Sequence, residues 1–355
     1  MSFKERSTAF FQNSDADSLL LRNFHGFKDQ NLQYISGLEK TEAFYCQRKN
    51  KPAVLLASTL EAANLEKKAF KVLEFSNEKQ LIALLKKILG RKIALNLAAY
   101  PVRNFESLKK LMKGRKFVDA FETFAGLRSK KFPEEVEKIK EACRISEMAA
   151  DYFENFFRQG MTEIEVSERI KDFFTKRMNC SISFEPIVAF RENSSTPHHE
   201  CSRRRIEGNG VLLLDFGAKF QGYCSDISRT YFIGKPSEEI SQAYHSVFEA
   251  KKLAESLLVP GESAGRIASE IDSFLKQKLK KGMIHALGHG IGLGEHDFPE
   301  GISPKAKFKI EESQCLAIEP AFYCSEFGIR LEDNCVIGKQ GAKMLSAAPK
   351  ELIAL

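Results

Sequence analysis

The apolar and polar positions change period several times along the chain. Over the first 130 residues, short apolar runs alternate with helical stripes: NLQYISGL and PAVLLAS predict extended segments, LEAANLEKKAF and KQLIALLKKIL predict helices, and KIALNL predicts a buried strand. That alternation predicts an α/β domain. A basic stretch then meets Pro133 in RSKKFPEEVEK, and proline suits the first turn of a helix, where its missing N–H would be unpaired anyway. Val136, Ile139, Cys143, Ala150, Phe153 and Phe157 keep one stripe apolar, Gly160 is placed to stop the helix, and Thr162 with Glu165 forms a capping box that opens another, to about residue 178. Strands follow in SFEPIVAF and VLLLDFGAKFQGYCSDISRTYFIG, the second folding as a hairpin about residues 219–222. Ser237 can cap a further helix, one more spans about 263–280 after Pro260-Gly261, and strands return in CLAIEPAFY, GIRLEDNCVIG and AKMLSAA. Helices followed by strands thus occur twice, which hints at an internal duplication. The expectation is an α+β chain of two domains, residues 1–131 and 132–355.

Composition changes this picture little. The 355 residues are 43% hydrophobic and 28% charged, the ordinary range for a folded chain. No apolar run approaches the roughly 18–20 residues of a membrane span, and MSFKERSTAFFQNSDADS lacks the basic-then-apolar layout of a secretory signal, so a cytoplasmic protein without a membrane partner is expected. A net charge of +7 is dilute over this length, and the lysine and arginine clusters at 109–110, 113–116 and 128–131 read as solvated faces. With no common nucleic-acid motif, no nucleic-acid partner is expected. Eight cysteines without a CxxC pair read as reduced thiols.

The chemistry lies in the second region. Asp215 ends the apolar run VLLL and Asp226 lies on the returning arm, so the hairpin brings two carboxylates together, and such a pair at the end of a buried strand calls for a cation or a shared proton. Glu319 in AIEP and Glu332 in IRLED repeat the arrangement. A salt-bridge network with Arg229 and Arg330 is one way to hold these acids. A divalent ion is the other, since hard carboxylates plus one imidazole suit Mn(II), Co(II), Fe(II) or Zn(II). His289, between Gly288 and Gly290, is the natural imidazole because its neighbours let the backbone approach closely.

HALGHGIGLGEHD, LLLDFGAKFQGYCSDISRTY, AIEPAFY and IRLED resemble the defining motifs of the pita-bread metallopeptidases, which include methionine aminopeptidase, aminopeptidase P and prolidase. The resemblance runs from about Pro133 to the end with the motifs in the family's order. Before Pro133, size and the NLQYISG segment are similar to the creatinase-type N-terminal domain of the aminopeptidase P and prolidase branch. It implies a pita-bread fold behind a smaller α/β domain and two divalent ions per subunit, Mn(II) first, with Co(II), Zn(II) or Fe(II) as alternatives. Asp215 would hold one ion, His289 and Glu319 the other, and Asp226 and Glu332 would bridge them, with a hydroxide shared between the metals as nucleophile. Glu319 would carry the proton to the leaving nitrogen, His198 and His296 would contact the substrate carbonyl and oxyanion, and His285 would shape the proline-side pocket. Spacing to Asp215 favours His198 over His199, and His199, His25 and His245 read as structural or exposed. Tyr223 and Arg330 resemble residues that orient the carboxylates.

The preceding domain points toward proline-directed enzymes acting on proline-containing peptides, and a homodimer is implied by resemblance. The first expectation is an Xaa-Pro aminopeptidase and the second an Xaa-Pro dipeptidase. A non-catalytic peptide- or nucleic-acid-binding module is the alternative from another class, opposed by the intact ligand positions. Two positions depart from the family's pattern. Ala321 stands where glycine is usual after Glu-Pro, and Arg191 stands where glycine is usual before the histidine loop, placing a long cation near the cleft as a conceivable carboxylate reader.

Overall fold

The computed structural model describes all residues except 1–2, 24–27, 40, 66–69, 348 and 350, so His25 lies outside the described residues. The chain divides into two compact units, Met1–Arg128 and Ser129–Leu355.

In the first unit the described residues form a six-stranded sheet in the order Lys71–Phe75, Val54–Ser58, Phe44–Arg48, Ser18–Arg22, Lys92–Leu95, Lys116–Asp119. The central run Leu19, Leu20 and Leu21 is buried throughout, the pattern of a strand covered on both faces. PAVLLAS and KIALNL supply strands and KQLIALLKKIL a helix, Glu78–Ile88, as expected. NLQYISGL does not run extended. It forms the helix Gln30–Ser36, because the Asp29 side chain accepts from the Asn31 N–H at its start and Gly37, at φ 72°, closes its end. Both caps satisfy groups that a free helix end leaves unpaired, and Leu32 and Ile35, one turn apart, are fully buried.

The second unit opens with helices Pro133–Phe156 and Glu163–Asp172, the latter running on into a π-helical turn, Phe173–Arg177. The capping box is formed: the Thr162 hydroxyl accepts from Glu165 N–H, while Glu165 Oε2 accepts from Thr162 N–H. These helices pack on a sheet ordered Ile353–Ala354, Ile227–Ile233, Gly210–Phe216, Ile187–Phe190. Leu212, Leu214 and Phe216 enter a core with Phe153, Phe174 and Tyr231. A second helix pair, Glu238–Leu257 and Ala264–Leu279, capped by Ser237 and Ser263, covers a sheet ordered Asp297–Ile302, Gly288–Gly290, Cys315–Ile318, Asp333–Gly338, Gly341–Met344. Leu316 and Ile318 are buried there with Val247, Ile267 and Ile271. Each such side chain contributes about 1.5–3 kcal/mol on burial, so both sheets are anchored well enough to hold acids at their ends.

One turn sets the register between strands Gly210–Phe216 and Ile227–Ile233 of the first of these two sheets. Strands Ala218–Phe220 and Tyr223–Cys224 pair antiparallel around Gln221 and Gly222, both at positive φ (47° and 86°). That is the two-residue hairpin turn whose twist matches the strands, and it needs a residue tolerant of positive φ. The chain returns so that Ser228 lies opposite Asp215.

Candidate metal centre and active site

Five side chains converge from five strands and the chain next to them. Asp215 closes Gly210–Phe216, Asp226 precedes Ile227–Ile233, His289 centres Gly288–Gly290, Glu319 follows Cys315–Ile318, and Glu332 sits between Gly328–Arg330 and Asp333–Gly338. Backbone pairing fixes three of them: Glu319 N–H donates to Leu287 O (2.8 Å), Glu332 N–H donates to Ser228 O (3.2 Å), and Asp226 N–H donates to Asn334 Oδ1 while Asn334 Nδ2 donates back to Asp226 O. The glycines beside His289 are required by close approach. A Cβ at Gly288 would lie 2.1 Å from Ala317 O, and one at Gly290 2.4 Å from Phe298 O, both unyielding backbone atoms.

His289 Nε2 lies 3.8 Å from Asp226 Oδ2, 3.6 Å from Glu319 Oε1 and 3.9 Å from Glu332 Oε1. Ligand atoms of Asp226, His289 and Glu332 all fall within 4.8 Å of one another, and all three residues are buried. His289 Nδ1 faces Gly290 O at 3.2 Å, which leaves Nε2 directed at the acids. Burial, with the nearby His296, pushes the His289 imidazole down to about 3, so it is neutral and able to ligate. Burial pushes Glu319 up to about 8, with Asp215 adding to the rise, and drives Asp226 and Glu332 well above the carboxylate range, each reinforced by the other acids.

Of the four acids, Asp215 is the one an arginine side chain pairs with among the described residues. Arg330 donates from Nη2 to Asp215 Oδ2, from Nε to Ser228 Oγ (2.7 Å), and from Nη1 to Tyr323 OH (2.7 Å) and Pro197 O (3.2 Å). Arg229 instead pairs with Asp333 and donates to Glu332 O (2.7 Å). Among the described residues, no lysine or arginine forms a salt bridge with Asp226, Glu319 or Glu332. A salt-bridge network therefore accounts for Asp215 alone. Asp215 Oδ1 and Asp226 Oδ1 are buried without a hydrogen-bond partner, and an orphaned carboxylate oxygen in such a place is costly. Two orphaned oxygens, three crowded acids and a neutral imidazole fit divalent ions held by oxygen and nitrogen donors.

Beside the cluster a cavity of about 860 Å³ is lined by Asp215, Asp226, His198, His199, Glu295 and His296, among others. The His296 ring stacks on His289 with centroids 4.0 Å apart. His285 lies next to Glu319, its Nδ1 3.7 Å from Oε2, and its Nε2 meets Tyr323 OH at 3.2 Å; burial lowers its imidazole to about 4. All eight singled-out residues thus fall at the cluster or its cavity. His199 also lines the cavity, with its Nε2 2.9 Å from Glu163 Oε2.

Two sequence readings do not match the geometry. Tyr223 donates to Glu135 (2.6 Å) on the first long helix, and a tyrosine not singled out, Tyr323, reaches Arg330 at the site; its signal was its place in AIEPAFY. Arg191 is engaged by backbone: its guanidinium donates to Asn209 O and Glu207 O and lies over the Phe190 ring. Its backbone φ of 54° is the conformation that glycine adopts most readily, which accounts for glycine being usual there.

This arrangement of neutral imidazole, crowded carboxylates and adjoining cleft has counterparts. The profile of metallopeptidase family M24 matches residues 137–339, and that of the creatinase/prolidase N-terminal domain matches residues 6–130. An Xaa-Pro dipeptidase of Pyrococcus furiosus is 30% identical over 335 residues, 92% of this chain and 93% of that protein. An X-Pro aminopeptidase from Thermotoga maritima superposes with a TM-score of 0.89 at 28% identity, covering 98% of this chain and 99% of its own. A prolidase from Thermococcus sibiricus superposes with a TM-score of 0.91 at 27% identity over the whole of both chains. The fold is the pita-bread fold behind a creatinase-type N-terminal domain. The chain belongs to metallopeptidase family M24 and is a metal-dependent exopeptidase.

Proposed function

We propose that this exopeptidase is an Xaa-Pro aminopeptidase, which releases the N-terminal residue from peptides with proline in second position. Its catalytic domain would span residues 132–355 behind an N-terminal domain of 1–131, in a cytoplasmic homodimer. The observation that carries the choice is the charge on the cleft wall. Glu168, Glu185, Glu200 and Glu295 line it, and the one lysine or arginine among those lining residues is Lys171, whose Nζ sits 2.7 Å from Glu168 and 2.6 Å from Glu185. Arg191 is held by Asn209 O. On this wall the amino terminus of either substrate is attracted, but an Xaa-Pro dipeptide would also bring its free carboxylate against acids and an already engaged cation, which a longer peptide, with an amide after proline, does not. An Xaa-Pro dipeptidase is the second reading, favoured by the names of the Pyrococcus and Thermococcus relatives.

Asp215, Asp226, His289, Glu319 and Glu332 would hold two divalent ions, Mn(II) first among Mn(II), Co(II), Zn(II) and Fe(II). Such ions, when bound, make water a nucleophile at neutral pH and polarise the scissile carbonyl. Glu319, beside His289 and His285, would take the proton and pass it to the leaving proline nitrogen. His198 and His296 would donate hydrogen bonds to the carbonyl and the developing oxyanion. His285, held by Tyr323, would wall the proline side.

The test strips the protein of metal, restores Mn(II), Co(II) or Zn(II) separately, and follows Gly-Pro, Arg-Pro-Pro and Met-Ala-Ser by mass spectrometry. Release of arginine from Arg-Pro-Pro, abolished by Asp226→Ala, supports the aminopeptidase. Cleavage of Gly-Pro alone makes the enzyme a dipeptidase, and no cleavage with any metal returns the chain to the binding-module reading.

A further inference from the structure

One buried carboxylate outside the metal cluster gathers the whole loop that carries His198. Glu163 opens the helix Glu163–Asp172, and its side chain is fully buried. Its Oε1 accepts from Phe190 N–H (2.9 Å) and Asn193 Nδ2 (2.8 Å). Its Oε2 accepts from Ser202 N–H (2.9 Å), Ser202 Oγ (2.6 Å) and His199 Nε2 (2.9 Å). All five donors lie between residues 190 and 202, at the start, middle and end of a loop with little regular structure of its own. The helix backbone adds to the grip, since Glu163 N–H donates to Arg204 O and Ile164 N–H to Ser202 O. Burial opposes the charged form of Glu163, yet the hydrogen bonds from Ser202, Asn193, His199 and Phe190 outweigh it and hold the carboxyl below its ordinary range.

We propose that Glu163 is a positioning residue for His198: it fastens the 190–202 loop at both ends and at His199, so that the neighbouring imidazole is presented to the substrate carbonyl in the cavity. The inference rests on the reading of His198 as a substrate contact. A loop carries many accessible conformations, and fixing a donor ahead of reaction is what makes it effective in the transition state. Glu163 itself touches neither substrate nor metal ligand. Glu163→Gln keeps the volume but turns one acceptor end into a donor facing other donors, which releases at least one end of the loop.

The experiment is a double-mutant cycle on the metal-loaded, full-length enzyme, with hydrogen exchange as a second readout. Glu163→Gln is expected to lower kcat by about tenfold in the native background and by less than about twofold on His198→Ala, because residues that act as a unit are not additive. Metal content should be unchanged, and exchange should quicken over 190–202 while 210–216 stays protected. Ser202→Ala, which removes one of the five bonds, should show the same pattern more weakly and serves should Glu163→Gln fail to fold. An equal loss in both backgrounds, or unchanged exchange over 190–202, overturns the positioning role alone. A wild-type enzyme that cuts none of the peptides overturns the role of His198 and this inference with it.

Discussion

Arg330 and Asp215 are joined at the floor of the cleft so that one carboxylate oxygen is bound by the guanidinium and the other, Oδ1, has no hydrogen-bond partner. The arginine is 3% exposed and its remaining donors go to Ser228, Tyr323 and Pro197, so it fixes the Asp215 plane and ties it to the residue before His198.

Replacing Arg330 should therefore damage the site in two separable ways. Arg330→Met leaves Asp215 without its charge partner, and breaking a buried pair from one side costs about 3–5 kcal/mol. Arg330→Lys keeps the charge but loses the planar fork that reaches several acceptors together. It should fold, bind metal about 10–100-fold more weakly, and turn over more slowly. Metal titration and thermal melts of both variants check this, and a lysine variant indistinguishable from wild type would show that the fork does not matter.

The glycines around His289 should tolerate no side chain. Gly290→Ala drives a methyl group onto the Phe298 carbonyl, and forced overpacking of this kind costs about 1–3 kcal/mol or more. The strand must shift, and Nε2 with it, away from three acids that lie within 3.9 Å. The variant is expected to purify with less metal, as read by elemental analysis. Full metal content at wild-type melting temperature would contradict the close-packing argument.

Removing metal should destabilise the protein, and more so at higher pH. Asp226, Glu319 and Glu332 all have raised pKa values, Glu319 to about 8, so the folded, metal-free protein binds more protons than the unfolded chain. A raised carboxyl contributes stability below its unfolded value that is lost as pH rises through its folded value, so the metal-free protein weakens between about pH 5 and 8. Metal must displace those protons, and loading should release them and tighten with pH. Melting temperatures with and without chelator at pH 6 and 8 test the sign. A metal-dependent gain that shrinks at pH 8 would refute it.

Much of this site was legible in the sequence, because an acid at the end of an apolar strand is conspicuous. Asp215, Asp226, Glu319 and Glu332 each break a run of buried residues, and Gly288 and Gly290 mark the close approach around His289. The two-residue turn at Gln221-Gly222 was legible for the same local reason. What could not be read was side-chain direction across long separations. Arg191 and Arg330 look alike as isolated cations, yet one turns to backbone carbonyls at 207 and 209 and the other to Asp215. Tyr223 is read as orienting the carboxylates and Tyr323 is given no role, because the sequence does not show that one reaches Glu135 and the other Arg330 and His285. The helix at Gln30–Ser36 was missed because its cap contacts, rather than the short apolar pattern, decide its backbone.

The stability supplied by Glu163 should depend on pH in the opposite sense to that of the metal cluster. Its carboxyl is held below its ordinary 4.5, with burial opposing and four hydrogen-bonding groups prevailing, so the folded state prefers the ionised form. A depressed carboxyl gives stability that is fully present above its unfolded value and is lost as pH falls through its folded value. At neutral pH, Glu163→Gln should melt below wild type, since each hydrogen bond to a charged group is worth about 1.5–3 kcal/mol before relaxation. Below its ordinary 4.5 that stability is lost progressively as pH falls toward the depressed folded value, where the native residue itself becomes protonated and loses an acceptor, so the two melting temperatures should converge. The comparison is a pair of melting curves across pH 3 to 7, about the range over which such a carboxyl titrates. A gap that stays constant down to pH 3 would mean that the ionised form of Glu163 is not what holds the loop.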